Sequence, residues 1–183
     1  MQVYRGMDIG TAKPSPSERV DPPQHLIDIR HPCETWDAGE FRRAAIKLIT
    51  EIHARGRVPV IAGGTAFYTE ALLLGLPETP PSDPGVRAEV ADHVRNVGVE
   101  AAWAELHLAD PAYAERVGPG DPYRICRGLE ILRTSGQPPS RYRPPMNRPL
   151  ERPADIVGIH LPRPVLYRRI QQRVEWMLAS GLR

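Results

Sequence analysis

Three short stretches hold residue types that could do chemistry. The first is Gly63-Gly64-Thr65, which follows the apolar run Val58-Pro59-Val60-Ile61-Ala62 and precedes a helical pattern starting at Ala66. Glycines at such a junction let a ligand approach the backbone closely. The helix that follows would point its free N–H groups and positive dipole end at that ligand, and the Thr65 hydroxyl can donate or accept there. An ordinary tight turn between a strand and a helix carries the same pattern. The second stretch is the loop holding Asp8, Thr11 and Lys13 among glycines. A lysine and a hydroxyl there could bind phosphate, although a solvated loop is the simpler reading. The third is Tyr123-Arg124-Ile125-Cys126-Arg127 at a helix start. Arg124 and Arg127 lie one turn apart and share a face. Between residues 124 and 152 there are seven arginines against two glutamates. That excess suits a phosphate backbone, with Tyr123 or Tyr142 available to stack on a base. A solvated helix face followed by a basic linker fits equally well.

Other signals exclude more than they suggest. The six histidines are scattered without metal-ligand spacing, so no metal site is expected from them. Trp36, Trp103 and Trp176 read as core or interface. Cys33 and Cys126 are far apart, and no apolar run reaches transmembrane length. A reduced, cytoplasmic chain with no membrane contact is therefore expected. The net charge is only +2, yet 22 of the 24 basic residues are arginine. Arginine offers a planar fork suited to phosphates and base edges, though a GC-rich genome gives the same bias. No G-x-x-x-x-G-K-[ST] phosphate loop occurs.

These residues need elements to position them. Leu26-Ile27-Asp28-Ile29 reads as a strand. Asp37 reads as a helix cap with Glu40 completing a capping box, and Phe41, Ala44, Ala45, Leu48 and Ile52 form one apolar face. Val58–Ala62 reads as a strand buried on both faces of a parallel sheet. Residues 85–110 read as helical, as an insertion. Asp121-Pro122 is a strong helix start, with Ile125, Leu129 and Leu132 facing inward and Gly136 ending the helix. Ile156–Leu161 is a third strand candidate. A last helix from Pro164 would bury Leu166, Ile170, Val174, Met177 and Leu178. Strand, helix, strand, glycine turn, helix implies a right-handed βαβ unit in an α/β core.

At this point the chain resembles a known family. Met1-Gln2-Val3-Tyr4-Arg5-Gly6-Met7-Asp8-Ile9-Gly10-Thr11-Ala12-Lys13-Pro14 is similar to the segment that follows the phosphate loop in tRNA dimethylallyltransferases. His25–Ile29, Val58–Leu76, Asp121–Glu130 and Tyr167–Leu182 resemble later segments of that family, in order along nearly the whole chain.

The resemblance implies an α/β fold: a P-loop NTPase-like parallel sheet core with a helical insertion, lacking the first strand and the P-loop. The implied division is a partial core over 1–78, a mainly helical insertion contacting tRNA over 79–136, and a return to the core over 137–183. The implied activity is transfer of a dimethylallyl group from dimethylallyl diphosphate, with Mg²⁺, to N6 of the adenine 3′-adjacent to the anticodon. The implied partners are the tRNA anticodon stem-loop and the diphosphate, with the protein a monomer. Thr65 matches the threonine that hydrogen-bonds the adenine amine region, and Gly63 and Gly64 would shape its turn. Met1 and Gln2 match the end of one tRNA-contacting stretch. Tyr123, Arg124, Ile125, Cys126 and Arg127 match a second.

In the family, the general-base aspartate precedes the position of Met1, so this stretch alone is expected to be truncated at both ends and inactive. A non-catalytic RNA-binding remnant is the alternative. A small-molecule P-loop kinase is disfavoured by the arginine excess and by the lack of a lid-like segment. An open sheet edge where the first strand belongs leads to an expectation of marginal stability and aggregation. A sharp, cooperative thermal melt of soluble monomer would contradict that expectation.

Overall fold

Aspartate followed by proline starts three helices in this chain. Asp83 accepts from the backbone N–H groups of Gly85 and Val86, Asp110 from that of Tyr113, and Asp121 from that of Arg124. The proline that follows each has no N–H to leave unpaired and a φ already suited to helix. Glycines at positive φ stop the same helices, Gly98 at 87°, Gly118 at 70° and Gly136 at 65°. The computed structural model describes residues 1–142, 150 and 153–182. Its helices are α1 (Ala38–Ala54), α2 (Ala66–Leu74), α3 (Pro84–Val97), α4 (Val99–Ala109), α5 (Pro111–Val117), α6 (Pro122–Ser135) and α7 (Arg163–Ala179). Among the described residues no helix is long and apolar enough to cross a membrane.

The chain divides into two compact units, Met1–Leu73 with Leu150–Arg183, and Leu74–Pro149. The second is a helical bundle of α3, α4, α5 and α6. Its core is Val90, Val94, Ala102, Leu106, Ala114, Ile125 and Leu129. Leu106, Ile125 and Leu129 are fully buried. Each contributes about 1.5–3 kcal/mol of hydrophobic stabilisation. Trp103 packs on this core and donates its indole N–H to the Ala114 carbonyl at 2.9 Å. Asp110 is buried, and both carboxylate oxygens are used. One caps α5, and the other accepts the Ser140 N–H at 2.6 Å.

The helical stretch expected over 85–110 is there, as α3 and α4 divided at Gly98. The short α5 was missed, although Asp110-Pro111 and Gly118 bound it with the same signals as its neighbours.

The first unit departs from expectation more deeply. The parallel-sheet α/β core is not there: among the described residues there is no strand, and the β pairing is one isolated parallel bridge between Tyr4 and Arg30. Val58–Ala62 and Ile156–Leu161 are exposed segments outside any helix, with Val60 86% and Ile159 91% accessible. A strand exists only through its ladder partners, and apolar runs of this kind meet none here. At Leu26–Ile29 the reason is local. Leu26 and Asp28 have φ of 61° and 56°, left-handed values that an extended strand does not permit.

The helices of this unit match their sequence signals more closely. The Asp37 carboxylate accepts the Glu40 N–H at 2.8 Å, and α1 ends at Ala54 before Gly56 at positive φ. Along α7 only Met177 is buried. Leu166, Ile170, Val174 and Leu178, expected to face inward, are exposed.

Gly128 in α6 carries the sharpest packing constraint. A Cβ there would lie 2.7 Å from a ring carbon of Tyr113 and 2.9 Å from a methyl of Leu106. Gly128→Ala should therefore destabilise the helical unit. Overpacking of this kind costs about 1–3 kcal/mol, whereas an open helical glycine would gain about 1 kcal/mol from the same change. Urea unfolding decides between them, and a raised midpoint would refute the close packing.

Candidate functional site

The predicted site residues fall in both units. In the first, Gln2 is not free. Its amide donates to the carbonyls of Thr11 and Ala12 at 3.0 and 3.1 Å, so its side chain closes the N-terminal loop on itself. Beside it lies Lys13, whose side chain is 1% exposed. The ammonium donates to the Tyr4 carbonyl, to Asp8 and to Asp28, each at 2.6 Å. All three of its hydrogens are thereby committed. Arg19 takes the second Asp28 oxygen at 2.6 Å, and Arg5 donates to the Asp28 carbonyl at 2.9 Å. Both the solvated-loop reading of Asp8, Thr11 and Lys13 and its phosphate-binding alternative give way to a structural one. Thr11 donates to the Met7 carbonyl at 2.6 Å, and Lys13 ties together three parts of the loop. Met1 is exposed at the edge of this knot.

The knot shifts its own ionisation. Hydrogen bonds from Lys13 and Arg19 hold the Asp28 carboxyl below its usual range, against a smaller opposing effect of desolvation. Burial pushes the Lys13 ammonium down, but its bonds to Asp28 and Asp8 outweigh this and raise it above the ordinary value.

Gly63 and Gly64 are exposed, with open space where a Cβ would stand. Thr65 is exposed too. Its carbonyl accepts the N–H groups of Tyr68 and Thr69 at 3.0 and 3.2 Å, so it opens α2. Its hydroxyl has no hydrogen-bond partner among the described residues and stands available to a ligand. One turn on, the Tyr68 ring stacks on Phe41 at 4.8 Å and its hydroxyl donates to the Trp36 carbonyl at 3.3 Å. Burial, then the nearby negative groups, raise the Tyr68 phenol. Arg30 lies over the Trp36 ring at 5.2 Å and pairs with Glu40 at 3.2 Å. Among the described residues no hydrogen bond or ion pair joins Gly63–Thr65 to Met1 and Gln2.

In the second unit the five residues Tyr123–Arg127 divide by side chain. Tyr123 and Arg124 are exposed at the first turn of α6. Ile125 is fully buried, and Cys126 packs against the same core, where burial pushes its thiol up and away from reactivity. Arg127 turns inward to Glu130. Of the basic stretch, Arg124, Arg127, Arg133 and Arg141 are described, while Arg143, Arg148 and Arg152, with Glu151, lie outside the described residues. The buried carboxylates Asp110 and Glu130 were not singled out from sequence. The N-cap pattern at Asp110-Pro111 could have found the first. For Glu130, no local signal separates it from a solvated helix residue.

Among the described residues no group of three or more histidine, cysteine, aspartate or glutamate side chains could hold a metal ion. Asp8 and Asp28 are occupied by Lys13. Among the described residues there is no all-protein cage for the Mg²⁺ that the resemblance implies.

With this geometry in hand, comparison with known proteins is specific. The family model described as IPP transferase matches residues 2–183. The chain belongs to that family. It is 50% identical to the tRNA dimethylallyltransferase of Bordetella pertussis, over 98% of this chain and 59% of that protein. It is 44% identical to the tRNA dimethylallyltransferase of Desulfotalea psychrophila, over 100% of this chain and 58% of that one. Among solved structures it is similar to the tRNA isopentenylpyrophosphate transferase of Bacillus halodurans, at 38% identity and a TM-score of 0.56, over 98% of this chain and 55% of that one. The chain thus spans somewhat over half the length of the relatives it matches.

The ion knot makes a pH prediction. A lowered Asp28 contributes fully above the ordinary carboxylate range, and its contribution is lost as pH falls through its folded value. A raised Lys13 contributes fully below the ordinary lysine range and is lost as pH rises through its folded value. At neutral pH Asp28→Asn should speed amide exchange at Ile29 and Arg30, whose N–H groups bond to the Val3 carbonyl. The difference from wild type should shrink below the carboxylate range. An equal difference at both pH values would contradict the assignment.

Proposed function

We propose that this chain is part of a tRNA dimethylallyltransferase. The reading is transfer of the dimethylallyl group of dimethylallyl diphosphate to N6 of the adenine 3′-adjacent to the anticodon. The observation that carries it is the family match across residues 2–183, together with relatives at up to 50% identity named for this activity. The chemistry is balanced: the N6–carbon bond forms as the allylic carbon–oxygen bond breaks, diphosphate leaves, and N6 loses a proton.

Thr65 is the residue of this chain assigned to the reacting base. An exposed hydroxyl free of protein partners, beside two unobstructed glycines at a helix start, suits hydrogen bonding to an adenine amine that has been flipped from its stack. Met1–Gln2 and Tyr123–Arg127 are the stretches assigned to the anticodon stem-loop. Tyr123 offers a ring for stacking and Arg124 a cation for phosphate. The reading includes a monomer acting on cytoplasmic tRNA.

The test is prenyl transfer to anticodon stem-loop RNA, using labelled dimethylallyl diphosphate with Mg²⁺ supplied. This chain would be compared with a form extended upstream. Activity in the extended form that falls when Thr65 is replaced by Ala supports the reading. Loss of activity in both forms, with RNA binding retained, would favour a non-catalytic RNA-binding protein. Activity indifferent to Thr65→Ala would remove that residue from the site.

A further inference from the structure

Arg124 and Arg127 sit one turn apart in α6, and sequence alone treats them as an equivalent pair of cations. Their surroundings are not equivalent. The Arg124 side chain is 66% exposed, and its nearest acid is Asp121 at 3.5 Å, the residue that caps its own helix. Arg127 is 26% exposed and turned inward, its Nη1 in ion-pair contact with Glu130 without a hydrogen bond and its Nη2 hydrogen-bonded to the connector. One guanidinium nitrogen lies 2.9 Å from Glu130, whose side chain is 4% exposed. Another donates to the Pro80 carbonyl at 2.7 Å and to the Thr79 hydroxyl at 3.4 Å. Ser82 completes the arrangement by donating its hydroxyl to the same Glu130 oxygen. Arg127 and Glu130 therefore hold the connector 79–82 against α6.

We infer that, within the stretch assigned to RNA, Arg124 is the phosphate-contacting cation and Arg127 is a positioning residue acting through Glu130 and the Pro80 carbonyl. A guanidinium already paired with a buried carboxylate would have to leave that carboxylate uncompensated to reach a phosphate. Removing one partner of a buried pair is the costly change. An exposed Arg124 has no such obligation, and Tyr123 beside it is equally open. The clamp fixes where the first turn of α6 stands relative to the connector that leads into α3.

This inference rests on the RNA-contacting reading of α6, and salt dependence separates the two. Each phosphate contact releases counterions, so its loss changes the slope of affinity against salt, whereas loss of a positioning contact does not. Affinity for an anticodon stem-loop RNA would be measured across a salt series for the chain, R124Q, R127Q, R127K and E130Q, with melts recorded alongside. R124Q should reduce the slope by about 1. R127Q should weaken binding several-fold and leave the slope as in wild type. E130Q should weaken binding in the same way, because it opens the same clamp. R127K should fail to restore affinity, since an ammonium cannot fork between Glu130 and Pro80. A direct Arg127–phosphate contact predicts the reverse: R127Q lowers the slope, R127K recovers it, and E130Q binds as well as wild type or better. That pattern would overturn the inference, and R127K with E130Q decide even where R127Q does not fold. A wild-type affinity indifferent to salt would sink the RNA reading itself.

Discussion

The close approach at Gly128 is the constraint on which the helical unit depends. Because α6 carries no Cβ there, Leu106 of α4 and Tyr113 of α5 can lie directly on its backbone. Tyr113 then reaches along the helix and donates its hydroxyl to the Arg124 carbonyl at 3.2 Å. Burial raises the Tyr113 phenol, so it stays protonated and remains a donor. The same contact that closes the core thus steadies the turn bearing Tyr123 and Arg124. With Ile125 and Leu129 filling the core, the opposite side of that turn is left to solvent. Core and candidate RNA surface are two faces of one helix.

The first unit solves a different problem with different means. It has little apolar burial near its N-terminus, with Val3 the buried residue there. Charge and hydrogen bonding do the organising. Lys13 gathers the Tyr4 carbonyl, Asp8 and Asp28, and left-handed backbone at Leu26 and Asp28 turns the chain back toward it. An ammonium covered in this way is costly unless its hydrogens are matched, even though the Asp8 and Asp28 carboxylates stay open to solvent. Here every Lys13 hydrogen is matched. The loop so held offers the Thr11 and Ala12 carbonyls to the Gln2 amide. Thr65 is held by α2, whose Tyr68 is fixed by the Phe41 ring and the Trp36 carbonyl.

What could be read from the sequence follows the range of the forces involved. Helix boundaries depend on local backbone chemistry, so Asp37, Asp121, Gly56 and Gly136 announced α1 and α6. The same signals at Asp110-Pro111 and Gly118 were present and went unused. Strands depend on partners distant in sequence. Val58–Ala62 and Ile156–Leu161 carry the composition of buried strands, but composition cannot supply a ladder, and among the described residues none forms. The sites divide in the same way. The turn at Gly63-Gly64-Thr65 into α2 was legible because a helix start depends on local backbone chemistry. The difference between Arg124 and Arg127 was not legible, because it arises from Pro80 and Ser82, far away along the chain. Lys13 read as a residue of a solvated loop, with phosphate binding as the other possibility, for the same reason: its acceptor Asp28 is distant in sequence.

In the proposed reading the exposed first turn of α6 meets RNA while the rest of that helix serves the core. Ultraviolet cross-linking of the chain to anticodon stem-loop RNA, with attachment sites mapped by mass spectrometry, tests it directly. The account predicts adducts at Tyr123, with none at Tyr113 on the buried side. Adducts confined to the exposed aromatic residues of α7, Tyr167 and Trp176, would contradict it.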